Sequence, residues 1–136
     1  MAEKTIHFKI ITPEKVVFED DVNSITAQGV QGSFGILPNH VPFMSALAVD
    51  TAKAVKDGQE FIFSIIGGAF QFKNNEAIIL TEVAELGSDI DTARAQLAKE
   101  RAEAKIASAE TQRDIKIANA ALARAMARLK AASRRL

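Results

Sequence analysis

Polar and apolar residues alternate through much of the first half of the chain, with the two-residue period of a β-strand. The alternating runs are rich in β-branched and aromatic residues and span residues 5–11, 21–28, 60–66 and 77–81. Further short strands occupy residues 15–18 and 70–73, and weaker candidates occupy residues 43–49 and 51–55, with Asp50 as the break between these two. Glycine, proline and asparagine separate the runs. Asp57-Gly58 is typical of a hairpin, Gly29 and Gly32 mark another, and after Pro38 the chain is predicted to turn through residues 39–42.

This pattern predicts about ten short strands, arranged as an antiparallel β-sandwich or flattened barrel. The sequence contains eight Phe residues, all before residue 73, and these provide large side chains for its core. The fold class is therefore all-β in this part of the chain, with an α-helical part to follow.

The pattern changes after Gly87, the last glycine, because residues 89–136 contain neither glycine nor proline. Alanine, leucine, isoleucine, arginine, lysine and glutamate dominate, which is the composition of long helices. Ser88 is a good N-cap, and Asp91 is then an acid in the first helical turn. We therefore predict two domains, residues 1–87 and residues 88–136.

A heptad seam runs along the end of this segment, at three- and four-residue steps. Its members are Ile115, Ala118, Leu122, Ala125, Leu129, Ala132 and Leu136. A single helix would be roughly 70 Å long and could not bury this seam against itself. A soft break between Ala107 and Asp114, where Thr111 can cap, predicts a two-helix hairpin that can also extend.

Charge divides the chain at the same place, although the formal net charge is zero. Residues 1–88 carry eleven acids and six bases, a net of −5, and residues 89–136 carry six acids and eleven bases, a net of +5. All arginines lie in the second part. The asymmetry indicates two modules with different partners.

Several classes of function find no support in the residues. There is no cysteine for a disulfide or thiolate site, and charges within the first twenty residues argue against a signal peptide. No apolar run is long enough to span a bilayer. His40 lies between two prolines, and spacing suggests no acid partner for His7. The Gly32 and Gly35 pair lacks the lysine of a phosphate loop, so we predict no metal site and no enzyme activity.

The motif Gly32-x-x-Gly35-Ile-Leu-Pro38-x-His40-x-Pro42 is followed by Gly67-Gly68-x-Phe70. Together they resemble the N-terminal β-sandwich of ATP synthase epsilon subunits. Ile90-Asp91-x-x-Arg94-Ala95 resembles the Ile/Leu-Asp-x-x-Arg-Ala motif that bacterial members use for ATP. Residues 124–129 resemble the second C-terminal helix of the family. The resemblance covers essentially the whole chain, in order.

The resemblance implies a regulatory and coupling subunit of the rotor, not an enzyme. The sandwich would bind the gamma subunit and the c-subunit ring, coupling rotation to proton translocation. The extended helices would reach the alpha and beta subunits and inhibit ATP hydrolysis. The protein would then be peripheral on the cytoplasmic face of the bacterial plasma membrane, with no membrane insertion and no nucleic acid partner.

The resemblance also implies a site for ATP as a regulatory ligand, with or without magnesium, and no catalytic cofactor. Its residues would be Glu85, Ile90, Asp91, Arg94, Ala95, Arg101, Arg124 and Arg128. Folding the hairpin could gather the four arginines, which repel one another unless an anion lies among them. From the residues alone, a solvated basic face and an Asp91–Arg94 ion pair are alternatives.

Three other functions are open from the residues alone. A β-sandwich adaptor could dimerise through a coiled-coil tail, and the basic stretch from Ile115 to Leu136 could contact nucleic acid. An ATPase is the third, for which the sequence offers no catalytic groups.

Overall fold

The computed structural model describes residues 4–133, which form nine strands followed by two helices. The strands are β1 (Ile6–Ile11), β2 (Val16–Val22), β3 (Ser24–Gly29), β4 (Gly32–Ile36), β5 (Phe43–Lys56), β6 (Gln59–Ile66), β7 (Ala69–Lys73), β8 (Glu76–Leu80) and β9 (Ala84–Leu86). A 3₁₀ turn (Gly87–Asp89) leads into α1 (Thr92–Ser108) and α2 (Gln112–Ser133). Leu136, the last member of the predicted seam, and the outer ends of both predicted domains lie outside the described residues.

The strands form a two-layered sandwich in which β5 belongs to both layers. One layer has the order β2-β1-β8-β7-β5 and the other has the order β4-β3-β5-β6-β9. Phe43 to Ala46 pair with β7, and the rest of β5 pairs with β3 and β6. The predicted sandwich is confirmed. Its pairs are antiparallel except β1–β8, which is parallel.

The strand prediction was wrong at three places. Residues 43–56 form one 14-residue strand, not two strands broken at Asp50. The Asp50 carboxylate accepts hydrogen bonds from the Thr51 backbone and from Lys130, so the strand continues through it with its charge satisfied. Residues 32–36, to which no strand was assigned, form β4 after the predicted hairpin at Gly29 and Gly32, and the short strand β9 was not predicted.

The eight Phe residues meet in the core, as predicted. Phe8, Phe63, Phe70 and Phe72 are fully buried, and Phe18, Phe34, Phe43 and Phe61 pack against them. Neighbouring rings are tilted or edge-on, with centroids between 4.9 and 6.3 Å apart. Such contacts add stabilisation to the area buried.

The first helix begins at Thr92, with Asp91 as its N-cap, and not directly after Ser88. Gly87–Asp89 forms the 3₁₀ turn, Ile90 is extended, and Asp91 is the N-cap, whose carboxylate accepts from the Arg94 backbone N–H at 3.1 Å. The prediction of Ser88 as N-cap was therefore wrong, because the tighter turn intervenes. Asp91 satisfies the orphan helical N–H instead.

The predicted break between the helices is confirmed. Residues 109–111 connect α1 to α2, and the Asp114 backbone N–H donates to Thr111 Oγ1 at 3.1 Å. Neither helix is long and apolar enough to cross a membrane, and residues 4–133 contain no other helix that is.

The hairpin rests on the sandwich through α2, which contacts β5 and β6, while α1 packs on α2. The buried residues of both helices are all alanines: Ala95, Ala102, Ala118, Ala125, Ala127, Ala131 and Ala132. Near its end α2 crosses Gly87 so closely that a Cβ there would lie 2.4 Å from the carbonyl oxygen of Ala131. The seam predicted in residues 115–132 therefore faces this chain's own surfaces.

Candidate functional site

A cavity of about 360 Å³ lies where the end of the sandwich meets both helices. Its lining comes from β9, from the segment before α1, from the first turns of α1 and from α2: Glu85, Asp89, Ile90, Asp91, Arg94, Ala95, Ala98 and Arg128. Six of the eight predicted site residues line it, and Arg101 and Arg124 do not. Its volume is within the range of small-ligand sites, about 300–1,000 Å³.

Arg128 connects α2 to the sandwich across this cavity. Its Nε donates to Glu85 Oε1 at 2.6 Å, and the two side chains are 28% and 36% exposed. The Glu85 backbone is fixed by pairing of β9 with Ser64 of β6. Because Nε makes the bond to Glu85, the two terminal nitrogens of Arg128 can donate to a further acceptor.

Asp91 and Arg94 line the same cavity from the start of α1. The Asp91 carboxylate caps the helix through the backbone N–H of Arg94, not through its guanidinium. The Arg94 side chain is exposed and makes no ion pair within residues 4–133, so the Asp91–Arg94 ion pair that the sequence allowed is not formed. Arg94 therefore presents a guanidinium to the cavity with its donors available.

The other two predicted arginines lie farther along the helices. Arg101 is exposed on α1, two turns and roughly 10 Å beyond Arg94 at about 1.5 Å per residue. Arg124 is half-buried on α2, one turn before Arg128. The folded hairpin thus brings two of the four arginines to the cavity wall.

Sequence reasoning missed two lining residues, Asp89 and Ala98. Ala98 follows Arg94 by four residues, so helical periodicity could have placed it on the same face. Asp89 ends a 3₁₀ turn that the sequence did not predict.

The cavity combines opposite charges. Two guanidinium groups face it together with the carboxylates of Glu85, Asp89 and Asp91, beside the apolar side chains of Ile90 and two alanines. Arginine forks bind phosphate oxygens, and carboxylates accept from amino or hydroxyl groups. The arrangement suits a ligand with an anionic end, a hydrogen-bond donor and a flat or apolar part. Within residues 4–133 no group of three His, Asp or Glu side chains could hold a metal ion.

Two larger hollows in the described part of the chain have a different chemistry. One, of about 530 Å³, lies between α2 and β5, and the other, of about 410 Å³, lies beside the ends of β1 and β8. No arginine lines either one. The chemistry of the lining, and not size, therefore distinguishes the smaller cavity.

The two histidines lie away from this cavity. His40 Nδ1 is 2.6 Å from the Val41 carbonyl oxygen, and its ring lies edge-on to Phe72. His7 has two acid partners, contrary to the sequence prediction: Asp21 at 2.9 Å and Glu19 at 2.8 Å. The hydrogen bond to Asp21, and then that to Glu19, raises the pKa of His7 above its ordinary value. Pairing of β1 with β2 brings these residues together across at least twelve residues of sequence.

Comparison with protein families gives matches along nearly the whole chain. Residues 5–87 match the family described as "ATP synthase, Delta/Epsilon chain, beta-sandwich domain", and residues 88–133 match "ATP synthase, Delta/Epsilon chain, long alpha-helix domain". An ATP synthase epsilon chain of Nitratidesulfovibrio vulgaris is 40% identical over 128 residues, covering 94% of this chain and 96% of that one. The epsilon chain of Desulforamulus reducens is 40% identical over 129 residues, covering 95% and 98%.

The same fold occurs in a solved assembly. A chain in the mitochondrial ATP synthase structure of Euglena gracilis, which contains OSCP, F1 and the c-ring, superposes with a TM-score of 0.85 at 21% identity. The match covers 98% of this chain and 84% of that chain.

Proposed function

The chain belongs to the delta/epsilon family of ATP synthase subunits, and we propose that its folded hairpin is one position of a regulatory switch. An epsilon-type chain is a non-catalytic subunit of the central stalk. In the proposed function, the sandwich couples rotation to proton translocation, the extended helices inhibit ATP hydrolysis, and ATP holds the helices in the folded position.

The proposal rests on the fact that three separate parts of the chain form the walls of the cavity. Glu85 comes from the sandwich, Arg94 from α1 and Arg128 from α2, so the cavity exists only while both helices are folded down. ATP bound there would contact all three parts, and its phosphates would engage the available arginine donors. A ligand that binds one conformation stabilises it by about 2.7 kcal/mol at a hundredfold excess over its dissociation constant.

The hairpin is suited to reversible opening because its buried contacts are weak. The buried residues of α1 and α2 are alanines, each contributing about 0.8 kcal/mol for its methyl group, against about 2 kcal/mol for a leucine. Leu129 is the larger side chain of α2 that packs, partly buried, against Ile62 and Ile90. With alanines, a few kilocalories from ATP suffice to change the population.

The extended form would use the charge of α2. From Ile115 to Ser133 the helix has Lys116, Arg124, Arg128 and Lys130 and no acid. An acidic surface on the alpha and beta subunits is the partner that this charge favours, and salt should weaken the contact. High ATP would thus release inhibition, and low ATP would permit it.

The sandwich would contact the gamma subunit and the c-subunit ring. Leu37, Val41 and Met44 are 63%, 69% and 72% exposed and lie in or beside one loop, which supports a protein-binding surface at this end. The protein would then be peripheral on the cytoplasmic face of the bacterial plasma membrane, with no nucleic acid partner.

The alternative of an adaptor that dimerises through a coiled-coil tail has less support. Ala118, Ala125 and Ala132 of the predicted seam are buried within this chain, so the folded form has no free seam for a second copy. Sedimentation of the full chain tests this alternative, which requires a stable dimer that is lost when residues 89–136 are removed.

Calorimetry with ATP tests the ligand. The intact chain should bind ATP, and Arg94→Ala should weaken binding about ten- to a hundredfold, because a charge-assisted hydrogen bond contributes about 1.5–3 kcal/mol. Arg113→Ala is the matched control, since Arg113 is exposed at the start of α2 and does not line the cavity. Titrations with and without magnesium define the ligand, and the absence of heat at millimolar ATP in both would refute ATP binding.

Truncation after Gly87 tests inhibition. A reconstituted complex with the shortened chain should hydrolyse ATP faster at low ATP than the complex with the full chain. Equal rates would remove the inhibitory function and leave coupling by the sandwich untouched.

A further inference from the structure

A second ion pair holds α2 to the sandwich, away from the proposed ATP site. Lys130 Nζ donates to Asp50 Oδ1 at 2.8 Å, and the residues are separated by 80 positions in sequence. The Asp50 carboxylate is oriented by the Thr51 backbone N–H, which donates to the same oxygen at 2.7 Å. The pair therefore joins a fixed acceptor on β5 to the last turn of α2.

This pair is spatially separate from the ATP cavity. Asp50 and Lys130 line the larger hollow between α2 and β5, and neither lines the cavity that contains Arg94 and Arg128. Residues two apart on a helix point about 200° apart at about 100° per residue, so Lys130 and Arg128 leave α2 in nearly opposite directions. One cation therefore reaches the proposed ligand site, and the other reaches only the sandwich.

We propose that Asp50–Lys130 is a nucleotide-independent latch that sets how often the hairpin is folded down, and thereby the apparent affinity for ATP. The second part rests on the function proposed above. If ATP binds only the folded form, the apparent dissociation constant is the intrinsic one divided by the folded fraction. Loss of the latch then weakens ATP binding without removing any group that would touch ATP.

The expected effect is modest, because the side chains of Lys130 and Asp50 are 46% and 32% exposed. Pairs exposed to this degree shift an equilibrium by about two- to fivefold. The buried contacts that the helices contribute are mostly alanines, with Leu129 partly buried against Ile62 and Ile90, so such a shift is a sizeable part of the docking energy.

The latch is tested on the full chain without nucleotide, by hydrogen exchange of the α2 amides. Undocking exposes an alanine-rich helix that frays, so Asp50→Asn and Lys130→Met should each accelerate α2 exchange about two- to fivefold. The charge-swapped double variant Asp50→Lys/Lys130→Asp should restore much of the protection. Asp20→Asn is the matched control: it breaks the Lys56–Asp20 pair at 2.9 Å, within the sandwich, and should leave α2 unchanged.

ATP titration of the same variants tests the link to the ligand. The apparent dissociation constant should rise by the ratio of the folded fractions of wild type and variant, which α2 exchange gives, and this ratio approaches the exchange factor only where the open form predominates. Unchanged α2 exchange in both single variants overturns the latch. A change in ATP affinity that differs from the ratio of the folded fractions overturns the link between latch and ligand. Faster exchange in a chain that binds no ATP supports the latch and refutes the ATP site, so the two proposals fail separately.

Discussion

Replacing Gly87 by alanine should displace the hairpin while sparing the sandwich. A Cβ on Gly87 would lie 2.4 Å from the Ala131 carbonyl oxygen, 2.9 Å from its carbonyl carbon and 3.2 Å from the Ile62 carbonyl oxygen. All three atoms belong to backbone, which cannot turn aside as a flexible side chain can. The clash therefore forces α2 either to move away by roughly an ångström or to leave the sandwich. Overpacking of this kind costs about 1–3 kcal/mol.

The backbone at Gly87 does not itself demand glycine. Gly87 is not among the glycines with positive φ, so alanine fits its conformation and the clash is the whole effect. A cost of about 1–3 kcal/mol lowers the folded-down population about five- to a hundredfold relative to the open one. The exchange of α2 amides should accelerate by that factor, while amides of β1 and β8 keep their rates.

Gly35→Ala is the matched control. Gly35 also lies outside the positive-φ set, and the nearest atom to its added Cβ is 3.9 Å away, an ordinary contact. This variant should leave α2 exchange unchanged. If Gly87→Ala also leaves α2 protected, the close crossing of α2 over Gly87 does not limit docking, and the reasoning fails.

Three further changes test other parts of the fold. His7→Gln should reduce the pH dependence of the free energy of unfolding. The pKa of His7 is raised in the fold, so its contribution to stability is full below its unfolded pKa and is lost as pH rises through its folded pKa. Urea unfolding should therefore show wild-type stability falling above about pH 6.5 and the variant changing less; equal slopes would contradict this. Phe63→Ala should lower the free energy of unfolding by about 3–5 kcal/mol, whereas exposed Met44→Ala should change it little. Thr111→Ala should cost about 1 kcal/mol and accelerate exchange in the first turn of α2, and Thr111→Ser should not.

Features decided by nearby residues could be predicted from the sequence. The phenylalanine core follows from alternation within single strands, and the hairpin break follows from Thr111, which caps α2 within three residues. The start of α1 could not be fixed in this way, because Ser88 and Asp91 are both competent caps. The 3₁₀ turn that decides between them depends on the close crossing of Gly87 by α2.

Features decided by pairing between distant segments could not be predicted. Asp50 resembles a strand break until Lys130, 80 residues later, neutralises it. The acid partners of His7 depend on the register of β1 against β2. Likewise, motif matching named six of the residues that line the cavity, yet only the packing of α1 on α2 separates Arg94 and Arg128 from Arg101 and Arg124.

The alanines between the helices also bear on how the chain behaves when they part. Alanine has no rotamers to lose, so closing the hairpin costs no side-chain entropy at its buried alanines, and ordering of larger side chains is confined to a small cluster of Leu129 with Ile62 and Ile90. The surface uncovered on opening would consist mainly of methyl groups around the cluster of Leu129, Ile62 and Ile90, so the open form would expose only a small continuous apolar patch for aggregation.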